Sequence, residues 1–257
     1  MGCSIAAVLG GPSALAADEA QTPPFVGRDE VSYGEFVTQV RAVADELAHS
    51  EGVRREHAAL LAAYGFSAEQ MPLISFSRVR LVFEATRDGG LWGIRWAITD
   101  QMPWSDRIWA QWRALPVQRD AAGHEVLADD AITAVAECDE LSALFALLAR
   151  DLGVEGFVGL HWPYWNHTVA VWQLPGPSAR EARIVVPTSQ VFLSREATLG
   201  TRELPAQRVV FPYARKDLKA DTALPGPLAR VLIARLRAFG ALSSEDLQTR
   251  RNRLGGS

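Results

Sequence analysis

The stretch from Asp130 to Leu152 constrains the fold of this chain more than any other. Leu141, Leu144, Phe145, Leu148 and Leu152 recur at helical spacing along one side, and Gly153 follows as a stop. The spacing predicts one strong helix over 130–152, and a stripe this apolar must be covered by other elements.

The flanking sequence supplies candidates for that cover. Ser32 and then Glu35-Phe36-Val37 open an amphipathic stretch, with Phe36, Val40, Val43 and Leu47 in helical register. A second helix is predicted from Arg54 to Tyr64, ending at Gly65. Val79 to Glu84 and Leu91 to Trp96 flank Asp88-Gly89-Gly90 and read as a β-hairpin. Helical spacing returns from Asp106 to Leu115, where Ile108, Trp109 and Trp112 share a face. His167 to Trp172 reads as a strand, and a second strand runs from Arg183 onward, with Pro175-Gly176-Pro177 as the turn region between them. A last helix follows Pro227, with Leu228, Val231, Leu232, Arg235 and Phe239 in register. This order predicts the α+β class, with one domain over 25–240, helical N- and C-terminal flanks and a polar tail over 243–257.

Composition narrows the function classes. A chain of 257 residues, 48% hydrophobic and 22% charged, can bury about three quarters of its unfolded surface, which excludes disorder. With two cysteines it is not a disulfide scaffold. A formal charge of -4 and a single short basic run, Arg250, Arg251 and Arg253, argue against a nucleic-acid partner.

Residues 1–17 carry no charged side chain and end in Ala14-Leu15-Ala16-Ala17 before Asp18-Glu19. They are expected to form a cleaved signal peptide with an atypical front end, lacking Lys or Arg. The segment is too short to span a bilayer, so no stable membrane span is expected. The expected location is secreted or periplasmic. Removing the leader would take Cys3 with it and leave Cys138 without an intramolecular disulfide partner.

Cys138 lies three residues before Leu141 and so shares the core-facing stripe of the strong helix. His167 opens a strand whose alternation places it with Val169 and Val171 on one face. A thiol near a helix start opposite an imidazole on a strand is a workable nucleophile and base. Whether the helix begins near the cysteine or two turns before it decides how much the helix dipole helps the thiolate.

The run Glu137-Cys138-Asp139-Glu140, continuing through an Ala- and Leu-rich helix to Leu152-Gly153-Val154, resembles the nucleophile helix of transglutaminase-like proteins. Asn166-His167-Thr168-Val169-Ala170-Val171-Trp172 is similar to that family's histidine strand. Arg183-Ile184-Val185-Val186-Pro187-Thr188 occupies the place of its third strand, usually "Val-Asp-Pro-Thr". The resemblance covers about residues 130–195 and implies a transglutaminase-like (papain-like) core, with the nucleophile helix packed on an antiparallel sheet. It implies a cysteine-dependent amide or ester hydrolase or acyltransferase, of the protease or amidase kind, in which Cys138 attacks and His167 moves the proton. Val186 stands where the family carries its carboxylate. The group orienting His167 is therefore expected to be an amide or hydroxyl, Gln190 first and Thr188 second.

The Cys138 backbone N–H and the indole N–H of Trp109 or Trp165 are candidate oxyanion donors. Trp109 has a competing reading as helix packing, together with Trp104 and Trp112. Asn166 is either a pocket residue or a turn residue. Trp162 and Trp165, near His167, read either as a wall for a peptide, protein or small amide substrate or as core filling. Neither metal nor cofactor is expected, since Cys138, His161 and His167 lack metal-ligand spacing. The alternative function is a catalytically silent binding or scaffold domain with an aromatic ligand groove.

Overall fold

Two serines start the first two helices. The computed structural model describes residues 24–99, 103–123, 125–128, 131–164, 167–175, 183–189 and 209–241. The predicted leader and polar tail lie outside these residues. After β1 (Glu30–Ser32), α1 (Tyr33–Leu47) begins at Ser32, whose Oγ accepts the Glu35 N–H at 3.3 Å while the Glu35 carboxylate accepts the Ser32 N–H at 2.9 Å. Phe36, Val40 and Val43 are buried, as their spacing predicts. Ser50 caps α2 (Glu51–Tyr64), and Gly65 ends it in the left-handed conformation at φ 70°.

The expected hairpin over 79–96 is corrected. Residues Leu73–Thr86 form a helix, α3, and only Ile94–Trp96 is a strand, β2. The reason is burial. From Ser75 to Thr86 every position except Arg78 and Arg80 is buried, so no single stripe stands out. Arg80 and Glu84, one helical turn apart, mimic the polar beats of a strand. They instead form an ion pair, joined by Arg87 Nε at 2.8 Å from Glu84. Beyond the turn at Gly89, β2 pairs in parallel with a later strand rather than folding back on α3.

α4 (Asp106–Ala114) follows, then the short pair β3 (Gln118–Arg119) and β4 (Glu125–Val126). The strong helix also starts later than its apolar pattern suggests. Ala134–Ala136 is a strand, β5, the parallel partner of β2, and α5 runs Cys138–Asp151. The pairing with β2 holds this segment extended until Glu137, the N-cap.

β6 (Phe157–Tyr164), β7 (His167–Gln173), β8 (Arg183–Val186) and β9 (Phe211–Pro212) make a four-stranded antiparallel sheet in the order β8-β7-β6-β9. β10 (Ala223–Pro225) then returns to pair with β1, and α6 (Gly226–Arg237) leads into a short 3-10 turn over Ala238–Ala241. The α+β class is thus observed, with α5 lying on the sheet.

α5 is the centre of the core. Leu141 and the residues from Ala143 to Ala149 are all inaccessible to solvent, because the sheet covers one side and α3 another. The sheet gives α5 the face carrying Ala170, Trp172, Leu160, Ile184 and Val186. Beside it, Trp92, Trp109 and Trp112 pack edge-on at 5.0–5.4 Å, contacts worth about 0.5–1.5 kcal/mol each beyond their burial. Among the described residues no helix is long and apolar enough to cross a membrane.

Candidate functional site

Glu137 separates β5 from α5, so the turn into the helix places Cys138 at the first helical position. The sulfur there faces the backbone N–H groups of Thr168 and Asp139, both of which favour the thiolate. Burial nonetheless pushes the Cys138 thiol up, and the Asp139 and Glu137 charges push it the same way. Burial and neighbouring acids thus outweigh the favourable end of the helix.

The acids around the cysteine are themselves constrained. Glu140 is buried, accepts the Glu137 N–H at 2.8 Å, and shares the Thr99 hydroxyl with Glu137 at 2.9 and 3.0 Å. Its second oxygen, Oε1, has no hydrogen-bond partner. Burial raises both the Glu140 and the Asp139 carboxyls, and the charges of nearby acids add to it.

His167 is buried, and burial lowers its imidazole below the ordinary histidine value. It adjoins Thr168, whose N–H reaches the sulfur. Alternation along β7 separates the two side chains, however. Thr168 falls with Ala170 and Trp172 on the face toward α5, whereas His167 falls with Val169 and Val171. The latter two pack with Val185 and Val210 in a small cluster behind the sheet. Sequence reasoning found this partition of β7 but not which face meets α5.

Thr188 lies on the α5 side, where its hydroxyl is 2.9 Å from Ser142 Oγ, and both residues are buried. Ser142 also reaches the Thr168 carbonyl at 3.4 Å. Sequence reading passed over Ser142, although its position one turn after Cys138 was available as a signal. Trp109 is 1% exposed, and its indole N–H is donated to Ser105 Oγ at 2.9 Å, within the core. Trp162 is 40% exposed and meets Phe211 edge-on at 5.3 Å on the β6–β9 edge. Trp165, Asn166 and Gln190 lie outside the described residues.

The arrangement offers a buried thiol at a helix start, two backbone donors beside it, and a hydroxyl pair one turn further along. Among the described residues no group of three metal-ligating side chains forms. Compared with family models, with curated proteins and with solved structures, the chain matches none of them.

Proposed function

We propose that the protein is a cysteine-dependent amide or ester hydrolase or acyltransferase with a transglutaminase-like core. The observation that carries this reading is the start of α5 at Cys138 itself, with the N–H groups of Thr168 and Asp139 on the sulfur. In the proposed step the thiolate attacks the carbonyl carbon and the bond to the leaving amine or alcohol breaks. The leaving group takes the proton that His167 removed from the thiol. Water or an amine then attacks the thioester and frees Cys138. Gln190 is the proposed third group, since the Thr188 hydroxyl already pairs with Ser142. The expected substrates are peptides, proteins or small amides. Export to the periplasm or outside the cell belongs to the same reading and rests on residues 1–17.

The test is acylation by an activated ester at neutral pH, followed by mass spectrometry. A single adduct on Cys138 is expected, absent in His167→Ala and lost on adding an amine. No adduct, with a folded protein, overturns the proposal.

A second reading, a silent binding domain with an aromatic groove, is favoured by one observation. Strand alternation sets His167 in register with Val169 and Val171, whereas Thr168, Ala170 and Trp172 alternate toward α5. On this reading Trp162→Ala weakens a bound ligand while Cys138→Ala changes nothing.

A further inference from the structure

A second site lies at the other end of α5, about 20 Å along the helix from Cys138 at its 1.5 Å rise per residue. A cleft of about 410 Å³ opens between the start of α1, the last turn of α5 and the loop before β10. Its apolar lining includes Val37 and Leu218, both buried. Its polar lining includes Arg41, Arg150, Lys216 and Lys219, which face a single carboxylate, Asp151. In a chain of formal charge -4 this is a local reversal of sign.

The carboxylate is already matched. Arg150 Nε donates to Asp151 Oδ1 at 2.8 Å, and the Tyr33 hydroxyl donates to Oδ2 at 2.7 Å. Arg41 reaches only the Asp151 carbonyl, through Nη2 at 2.7 Å, and its Nε is a buried donor without an acceptor. Among the described residues no carboxylate pairs with Arg41, Lys216 or Lys219. Three cations in one cleft therefore lack a counter-charge.

The lysines sit on a fixed backbone. Asp217, between them, has a side chain 0% exposed and accepts from the Ser105 N–H at 3.1 Å, from Ser105 Oγ at 2.5 Å and from the Tyr213 hydroxyl at 2.8 Å. Arg150 Nη1 further holds the Tyr213 and Arg215 carbonyls, at 3.3 and 2.7 Å. Gly34, at the head of α1, donates its N–H to the Ala220 carbonyl at 2.9 Å. Ordering this loop is already accomplished, so a ligand does not have to supply that entropy.

We propose that this cleft binds a small phosphate monoester, of the size of a sugar phosphate or mononucleotide. A phosphate dianion offers three acceptor oxygens to the three unmatched cations, where a monocarboxylate would leave most of the charge unanswered. The volume lies within the range of small-molecule sites, and Val37 and Leu218 give the uncharged part of the ligand a surface to rest on.

The experiment is calorimetric titration of the full chain with ribose 5-phosphate and AMP, alongside inorganic phosphate, succinate, ribose and adenosine. Tryptophan emission is recorded in parallel, because Tyr33 in the cleft touches Trp109 edge-on at 5.4 Å. One equivalent of ribose 5-phosphate or AMP should bind, weaken as salt rises, and bind tighter than phosphate alone. Ribose and adenosine should give no heat. Lys216→Ala/Lys219→Ala, two exposed positions, should weaken binding about tenfold or more without unfolding the chain. Cys138→Ala should leave it unchanged, which separates this site from the thiol. No saturable binding of either phosphate ester, equal binding of succinate, or an undiminished affinity in the lysine variant would each overturn the proposal.

Discussion

The two ends of α5 obey the same electrostatic rule with opposite chemical results. Acids gather at its start, Glu137, Asp139 and Glu140, and Arg150 stands in its last turn, where it offsets the final residue Asp151, so each end places a charge that complements the helix dipole. At the first end the rule works against the thiol, because burial already raises it and the carboxylates that steady the helix add to that by disfavouring a negative charge on sulfur. At the other end Arg150 neutralises Asp151, and Arg41, Lys216 and Lys219 are left without a carboxylate partner. One helix thus carries a thiol disfavoured as an anion at its head and a cleft rich in cations at its foot. What stabilises a helix end and what activates a group sitting on it need not be the same thing.

Removing the rod between the ends should have the largest effect. Phe145 is wholly buried midway along α5, and Phe145→Ala is expected to cost about 3–5 kcal/mol through lost burial and the cavity left behind. Urea denaturation followed by circular dichroism measures it. A cost below about 1 kcal/mol would mean that α5 is not the shared core of the two ends.

A smaller change tests the foot alone. Tyr33→Phe removes the hydroxyl that donates to Asp151 Oδ2 and is expected to cost about 1.5–3 kcal/mol, as for a hydrogen bond to a charged acceptor. The iodoacetamide reactivity of Cys138 should be unmoved by it. If thiol reactivity falls with stability in this variant, the ends are coupled rather than independent.

The smallest effect is expected at the head. Asp139→Asn keeps the oxygen that accepts the Glu140 N–H and deletes a charge that holds the thiol up. Cys138 should then alkylate at lower pH than in the parent protein. The sign for stability follows from the raised Asp139 and Glu140 carboxyls. In the window just above the ordinary carboxylate range, the folded chain keeps protons that the unfolded chain has released. Stability contributed by these two groups therefore falls as pH rises through that window. Asp139→Asn should flatten this fall in a series of denaturation curves, and an unchanged slope would remove Asp139 from the account.

Where an element carries its own start signal and one apolar stripe, the residues announce it. Ser32 with Glu35, Gly65 as a stop, and Phe36-Val40-Val43 all mark helices that the structure contains, although α2 starts at Glu51 behind Ser50, one turn before the expected Arg54. α3 escaped because burial on nearly every side erases the helical period, and its paired charges imitate a strand. The i,i+4 spacing of Arg80 and Glu84 was the available clue. β6 escaped for another reason: Gly159 and Pro163 interrupt its pattern, and its pairing with β7 is irregular between His161 and Tyr164. The three-residue strands β1, β5 and β10 have no local signature, since distant partners define them, whereas β2 falls within the expected Leu91–Trp96 strand and only its partner differs from the expectation. The thiol and its histidine strand were legible as neighbours in the fold. The choice of face was not, because both faces of β7 are buried and neither is polar enough to declare itself. The cationic cleft draws on three separate segments and leaves no spacing to read.

The pairing of β1 with β10, residues 30–32 against 223–225, joins nearly the first described element to the last sheet strand. Gly226 seals that junction, since a Cβ there would come within 2.0 Å of the Arg28 carbonyl oxygen. During synthesis the hydrogen-bonding groups of β1 have no strand partner until about residue 225 has left the ribosome. Closure of this seam therefore waits for the C-terminal segment, so a nascent chain truncated before β10 should expose the head of α1 to proteases throughout its translation.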